Sequence, residues 1–71
     1  MQGEEYIKKY SGEIIGIIET KDNGDQIARA FPGRQVLGFY RKSQDQTTYF
    51  YGRVISRGNT VVSLIYEDKN R

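Results

Sequence analysis

"GRQVLGFYRK", Gly33 to Lys42, decides how the chain is read. It has an echo in "GRVISRGN", Gly52 to Asn59, and an earlier relative in "GEIIGIIE", Gly12 to Glu19. An aromatic residue stands two positions before each opening glycine: Tyr10, Phe31 and Phe50. An apolar pair or near-pair follows each one: Ile14-Ile15, Val36-Leu37 and Val54-Ile55. The three glycines lie about 20 residues apart. That period equals two short strands and two turns, a hairpin unit that cannot bury its own face and must stack on neighbours.

Outward from these segments, strand signals dominate. The apolar residues are mostly Ile, Val, Tyr and Phe, which suit a pleated surface. Turn signals recur at Ser11-Gly12, Asn23-Gly24, Pro32-Gly33, Tyr51-Gly52 and Gly58-Asn59. Short runs punctuated this regularly predict an all-β fold: a small antiparallel meander of six or seven strands, forming a barrel or a flower-like sheet. The strands are expected at 4–10, 13–19, 26–31, 34–41, 47–51, 53–57 and 60–66. Asn23-Gly24 is the strongest hairpin turn, because both residues tolerate φ > 0. The polar "KSQDQ" reads as a second hairpin connection. Asp25 could cap a two-turn helix ending before Pro32, but the alternation Ile27, Arg29, Phe31 favours a strand.

The segments "SGEIIGII", "PGRQVLGFY" and "TTYFYGRVI" resemble the tandem hairpin repeats of the four-fold β-flower proteins, over residues 11 to 66. The resemblance implies hairpins arranged around a central axis in a small β module, and carries over no functional residue. The third unit departs from the pattern, with Ser56 and Arg57 where the second has Gly38 and Phe39.

Seventy-one residues make one domain, 1–71. A chain near this size buries only about 60% of its unfolded surface, so small domains lean on disulfides, metals or association. No cysteine is present, which excludes disulfides and thiolate zinc sites, and no histidine, which removes the commonest zinc ligand and general base. Association is the expected reinforcement. Two strands support it by being apolar on both faces: Ile14 and Ile18 against Ile15 and Ile17, and Val61 and Ile65 against Val62, Leu64 and Tyr66. Such strands need cover on both sides, and a second subunit would supply it.

No apolar run approaches the roughly 18 residues of a membrane span, and no secretory signal is evident, so a cytoplasmic protein with no membrane partner is expected. The net charge is only +2, and the charges are scattered. Electrostatics therefore gives nucleic acid weak support.

Catalysis finds little footing, and the chain reads as no enzyme, with no cofactor and no metal. No histidine can activate a serine or threonine, and the carboxylates Glu13, Glu19, Asp22, Asp25 and Asp45 sit at turns or strand ends. "DNGD", Asp22 to Asp25, resembles a calcium loop in miniature but lacks the twelve-residue ligand pattern, so a hairpin turn is the better reading. A basic-aromatic group remains: Tyr40, Arg41, Tyr49, Tyr51, Arg53 and Arg57. Small β-barrels bind single-stranded nucleic acid with such residues, rings stacking on bases and cations tracking phosphates. The plainer alternative is that they fill cross-strand pairs. The leading expectation is a non-catalytic, self-associating β module acting in binding or scaffolding, with single-strand nucleic-acid binding as the alternative.

Overall fold

The computed structural model describes residues 3–69. Six strands run β1 (Gly3–Lys8), β2 (Ile14–Thr20), β3 (Gln26–Ala30), β4 (Val36–Arg41), β5 (Gln46–Tyr49) and β6 (Val54–Arg57), followed by one helix, α1 (Val61–Lys69). The strands form one antiparallel meander in sequence order. The expected all-β meander is present, but β1 and β6 do not pair, so the sheet is open and not a barrel. Residues 26–30 are strand, not helix.

The tight connections share one turn chemistry. In three of them a glycine N–H donates to the carbonyl three residues back: Gly12 to Lys9, Gly24 to Lys21 and Gly52 to Tyr49, at 2.8–3.0 Å. All three glycines have φ of 93–95°. A side chain in that left-handed region is strained, so glycine is the natural occupant. Asp45 closes the Lys42–Asp45 turn in the same way with φ 51°, a conformation that aspartate tolerates better than most residues. Gly33 is not an equivalent of Gly12 and Gly52. It lies inside a longer connection in which Arg34 takes the left-handed conformation and donates its N–H to Ala30.

The repeat has its structural meaning one step later, at the small residue after each apolar pair. A Cβ on Gly16 would lie 2.5–2.7 Å from three side-chain atoms of Ile65, and one on Gly38 would meet the Thr48 carbonyl and Leu64. Both glycines therefore seat the helix. Ser56, the small residue in the third unit, pairs with Thr47 on the same face, and its hydroxyl lies 2.7 Å from that of Thr60. The departure of the third unit from the glycine pattern is thus small for small, with a hydroxyl added where the chain turns into α1.

The expected strand at 60–66 is instead this helix. "TVVSLIY" alternates, but it also satisfies a helical period: Val61, Leu64 and Ile65, spaced i, i+3, i+4, are the buried positions, while Val62 and Tyr66 are exposed. The entry is held by both side chains and backbone. Asn59 Oδ1 accepts the Val61 N–H at 3.2 Å, and the Thr60 carbonyl accepts the Ser63 N–H at 2.9 Å. Thr47, fully buried on β5, donates its hydroxyl to Gly58 O at 2.7 Å and accepts the Thr60 N–H at 3.0 Å. Both orphan groups at the turn are satisfied by one side chain from another strand.

The helix packs across β2–β5. Ile15, Ile18, Ala28, Val61, Leu64 and Ile65 form the core, with Ile7, Leu37, Tyr40, Tyr49 and Ile55 partly buried against it. Ile17 and Ile27 are buried outside this cluster, on the sheet face opposite the helix. Among the described residues no element covers that face, and its own long side chains shelter it. Tyr6 and Arg29 flank Ile17 across the register. The Tyr6 ring meets Phe31 edge-on at 6.4 Å, and Arg29 is tied to Glu19 at 3.2 Å and to the Arg34 carbonyl at 3.1 Å. An arginine stem held in this way covers apolar surface while its head stays wet. Both faces of β2 are therefore sheltered within one chain, one by α1 and one by Tyr6, Phe31 and the Arg29–Glu19 pair. The two-faced strands alone do not require a second subunit.

Candidate functional site

The basic-aromatic group divides between the two faces of the sheet. Tyr40 and Tyr49 lie on the helix side, half-buried against the core. The Tyr40 hydroxyl donates to Asp45 at 2.8 Å. That hydrogen bond, then partial burial and the negative charges of Asp45 and Asp25, hold its phenol above the ordinary tyrosine value. Tyr49 donates to Glu67 on α1 at 3.2 Å, and its phenol is raised by that bond, the Glu67 charge and burial, with Tyr51 adding slightly and Arg53 opposing. Arg41 and Arg57 are on the opposite, open face: each pairs with Gln46 across the register, and the Arg41 guanidinium stands 5.2 Å from the centre of the Phe39 ring. Cation–π contact of this kind is worth about 0.5–1 kcal/mol at an exposed site.

Tyr51 and Arg53 sit at the β5–β6 turn and are exposed. Tyr51 stacks on Tyr49 with centroids 5.2 Å apart and planes 5° from parallel, and Phe50 meets Tyr51 edge-on at 5.1 Å and 89°. Phe50 and Tyr51 are 63% and 61% exposed, which for rings packed against each other leaves broad apolar surface in water. The structure thus brings together Tyr49, Tyr51 and Arg53 and leaves Tyr40, Arg41 and Arg57 elsewhere.

Beside these rings lies a groove of about 410 Å³, between the β4 and β5 ends and the C-terminal half of α1. Its lining includes Val36, Leu37, Leu64, Glu67 and Asp68 as well as the three aromatics. Leu64, Glu67 and Asp68 are absent from the sequence-based site because residues 60–66 read as a strand. Their i, i+3, i+4 spacing is the signal that places them on one side of a helix.

The carboxylates considered for catalysis have structural partners. Glu19 holds Arg29; Asp25 accepts the Lys42 N–H at 2.9 Å, while its own backbone N–H donates to Asn23 Oδ1 at 3.0 Å; Asp45 accepts from Tyr40. "DNGD" forms the hairpin turn expected of it. Among the described residues no three His, Cys, Asp or Glu side chains cluster as a metal site would require, and no helix is long and apolar enough to cross a membrane. Comparison with protein-family models, with curated proteins and with solved structures finds no match.

Proposed function

We propose that the chain is a small β module that works by association and binding, without catalysis of its own, and that copies join through the free edges of their sheets. The observation that carries this reading is the pair of uncovered edge strands with opposite charge around them. Residues 3–20, which form β1 and β2, contain four glutamates against two lysines; residues 36–57, which form β4 to β6, contain three arginines and a lysine against one aspartate. An unpaired edge is a ready template for another strand.

In a meander of six strands, β1 and β6 run in opposite directions, so β6 of one copy against β1 of the next continues the antiparallel pattern. Arg57 lies at the same end of the sheet as Glu4, and Val54 and Tyr6 lie on the same open face. Joining the edges with Arg57 opposite Glu4 brings Val54 beside Tyr6, two of the exposed large apolar residues. Glu4 already has Arg34 of its own chain at 3.8 Å, so Arg57 of the neighbour extends an existing ion pair. Such a head-to-tail contact makes a ring if its rotation closes and a filament if not. The likeness to β-flower proteins fits in one respect: closure would set the hairpins about a central axis.

Sedimentation velocity over a concentration series tests this. Self-association is expected, weakened by Arg57→Glu and restored when Glu4→Arg is added to it. A monomer at every concentration up to millimolar overturns the reading. The nucleic-acid alternative keeps Tyr49, Tyr51 and Arg53 together but loses Tyr40, Arg41 and Arg57 from that surface, which leaves it a single cation of that group to track phosphates. Salt-dependent binding of labelled single strands would revive it.

A further inference from the structure

We infer that the groove between Tyr49, Phe50 and Tyr51 and the end of α1 binds a lysine side chain of a partner protein's basic segment. This does not rest on self-association, because the groove lies on the helix side and the proposed edges do not line it.

The argument starts from three properties that occur together. The first is aromatic: the Tyr51 ring is parallel to Tyr49 on one side and at 89° to Phe50 on another, so the rings form a corner of π faces and edges. The second is apolar: Val36, Leu37 and Leu64 line the same groove and offer a wall for a methylene stem. The third is charge: Glu67 and Asp68 contribute carboxylates to the lining, opposed among the described groups near it by Arg53, which approaches Tyr49 from the turn. Rings attract a cation electrostatically through their quadrupoles, carboxylates by charge, and the aliphatic wall is indifferent to charge but favours a stem. A ligand with an apolar stem and a compact cationic head uses all three.

Competing ligand classes use fewer. A nucleic-acid strand would stack on Phe50 and Tyr51, but its phosphates would meet Glu67 and Asp68. A fatty acid would match the wall and be repelled at the same rim. Glu67 retains capacity for a ligand, since its contact with Tyr49 at 3.2 Å occupies one oxygen, Oε1. The volume of about 410 Å³ lies toward the small end of the range of ligand pockets and has room for a lysine side chain.

The test is an amide NMR titration of the full chain with three capped amino acids: N-acetyl-lysine methylamide, the uncharged norleucine analogue and the glutamate analogue. The lysine probe is expected to saturate at millimolar concentration, with shifts confined to residues 35–37, 49–51 and 64–68. Norleucine should bind roughly three- to tenfold more weakly, the factor expected for one exposed to partly desolvated cation–π and charge contact. Glu67→Gln, which keeps an acceptor for Tyr49, and Asp68→Asn should each weaken lysine binding and leave norleucine binding unchanged. Equal binding of lysine and norleucine overturns the proposal, as does preference for glutamate, absence of saturation, or shifts scattered outside the groove. If the lysine probe dissociates an oligomer, the occupant is a second copy and the assignment to a partner protein fails.

Discussion

Gly16→Ala tests directly whether residues 61–69 sit on the sheet as a helix with Ile65 over β2. The new methyl would lie 2.5–2.7 Å from Cγ2, Cδ1 and Cγ1 of Ile65, and no other group lies among the three nearest atoms. Ile65 is 1% exposed, so it cannot relieve the contact by swinging into solvent. Overpacking of this kind costs about 1–3 kcal/mol. Replacing glycine also narrows the unfolded ensemble, which returns about 0.4–1 kcal/mol. The net loss should be about 1–2 kcal/mol, or about 5–15 °C in Tm for a domain of this size. Ile65→Ala alone should cost about 2–5 kcal/mol through lost burial and a cavity. In the double variant the added methyl enters the space that Ile65 has vacated, so the two costs should not add. A favourable coupling of at least about 1 kcal/mol is expected, since residues in contact depart from additivity by about 0.5–3 kcal/mol. The assay is urea denaturation followed by far-UV circular dichroism on wild type, both single variants and the double. Costs that add to within about 0.5 kcal/mol would refute the placement, because sites that do not touch are additive on that scale.

Thr47→Val keeps the shape of a fully buried side chain but strands Gly58 O and the Thr60 N–H. A loss of about 1–3 kcal/mol is expected in the same denaturation assay, with Thr47→Ser largely retaining stability; equal losses for both would refute the hydroxyl's role. Tyr40 and Tyr49 should titrate above the ordinary tyrosine value, as late components of a phenolate absorbance titration. A raised folded pKa means that their contribution to stability is complete below the unfolded value of about 10 and is lost as pH rises through the folded value. Tyr40→Phe and Tyr49→Phe should each remove one late component of the curve, and a curve unchanged by either substitution counts against these hydrogen bonds. Val54→Lys should reduce self-association and leave the denaturation midpoint of the monomer close to wild type, since Val54 is half exposed; an unchanged sedimentation profile would remove β6 from the interface.

Much of the fold was legible locally. The turns at Gly12, Gly24 and Gly52 announce themselves because each needs a left-handed residue, a requirement met within four residues of chain. The strands β1 to β6 follow from β-branched and aromatic runs between those turns. The candidate site was legible in halves. Its aromatic residues stood out, but the acidic wall supplied by Glu67 and Asp68 did not, because the spacing that unites them with Leu64 appears only once the segment is helical. Arg41 looked like a neighbour of Tyr40 in sequence, yet adjacent residues on a strand point to opposite faces, and the two ended in different environments.

The sequence by itself determined the strands and the tight turns, since backbone conformation at glycine and branching at Cβ act over a few residues. Only the tertiary structure decided the state of residues 61–69, whose apolar positions satisfy a period of two nearly as well as one of 3.6. The choice was made by groups far away in the chain. Gly16 and Gly38 leave room at the surface of the sheet for Ile65 and Leu64, and Thr47 holds the turn by which α1 begins. The repeated glycine motif, which read as the start of each hairpin, thus acquires its second purpose from packing: its small residues are where the sheet receives the helix.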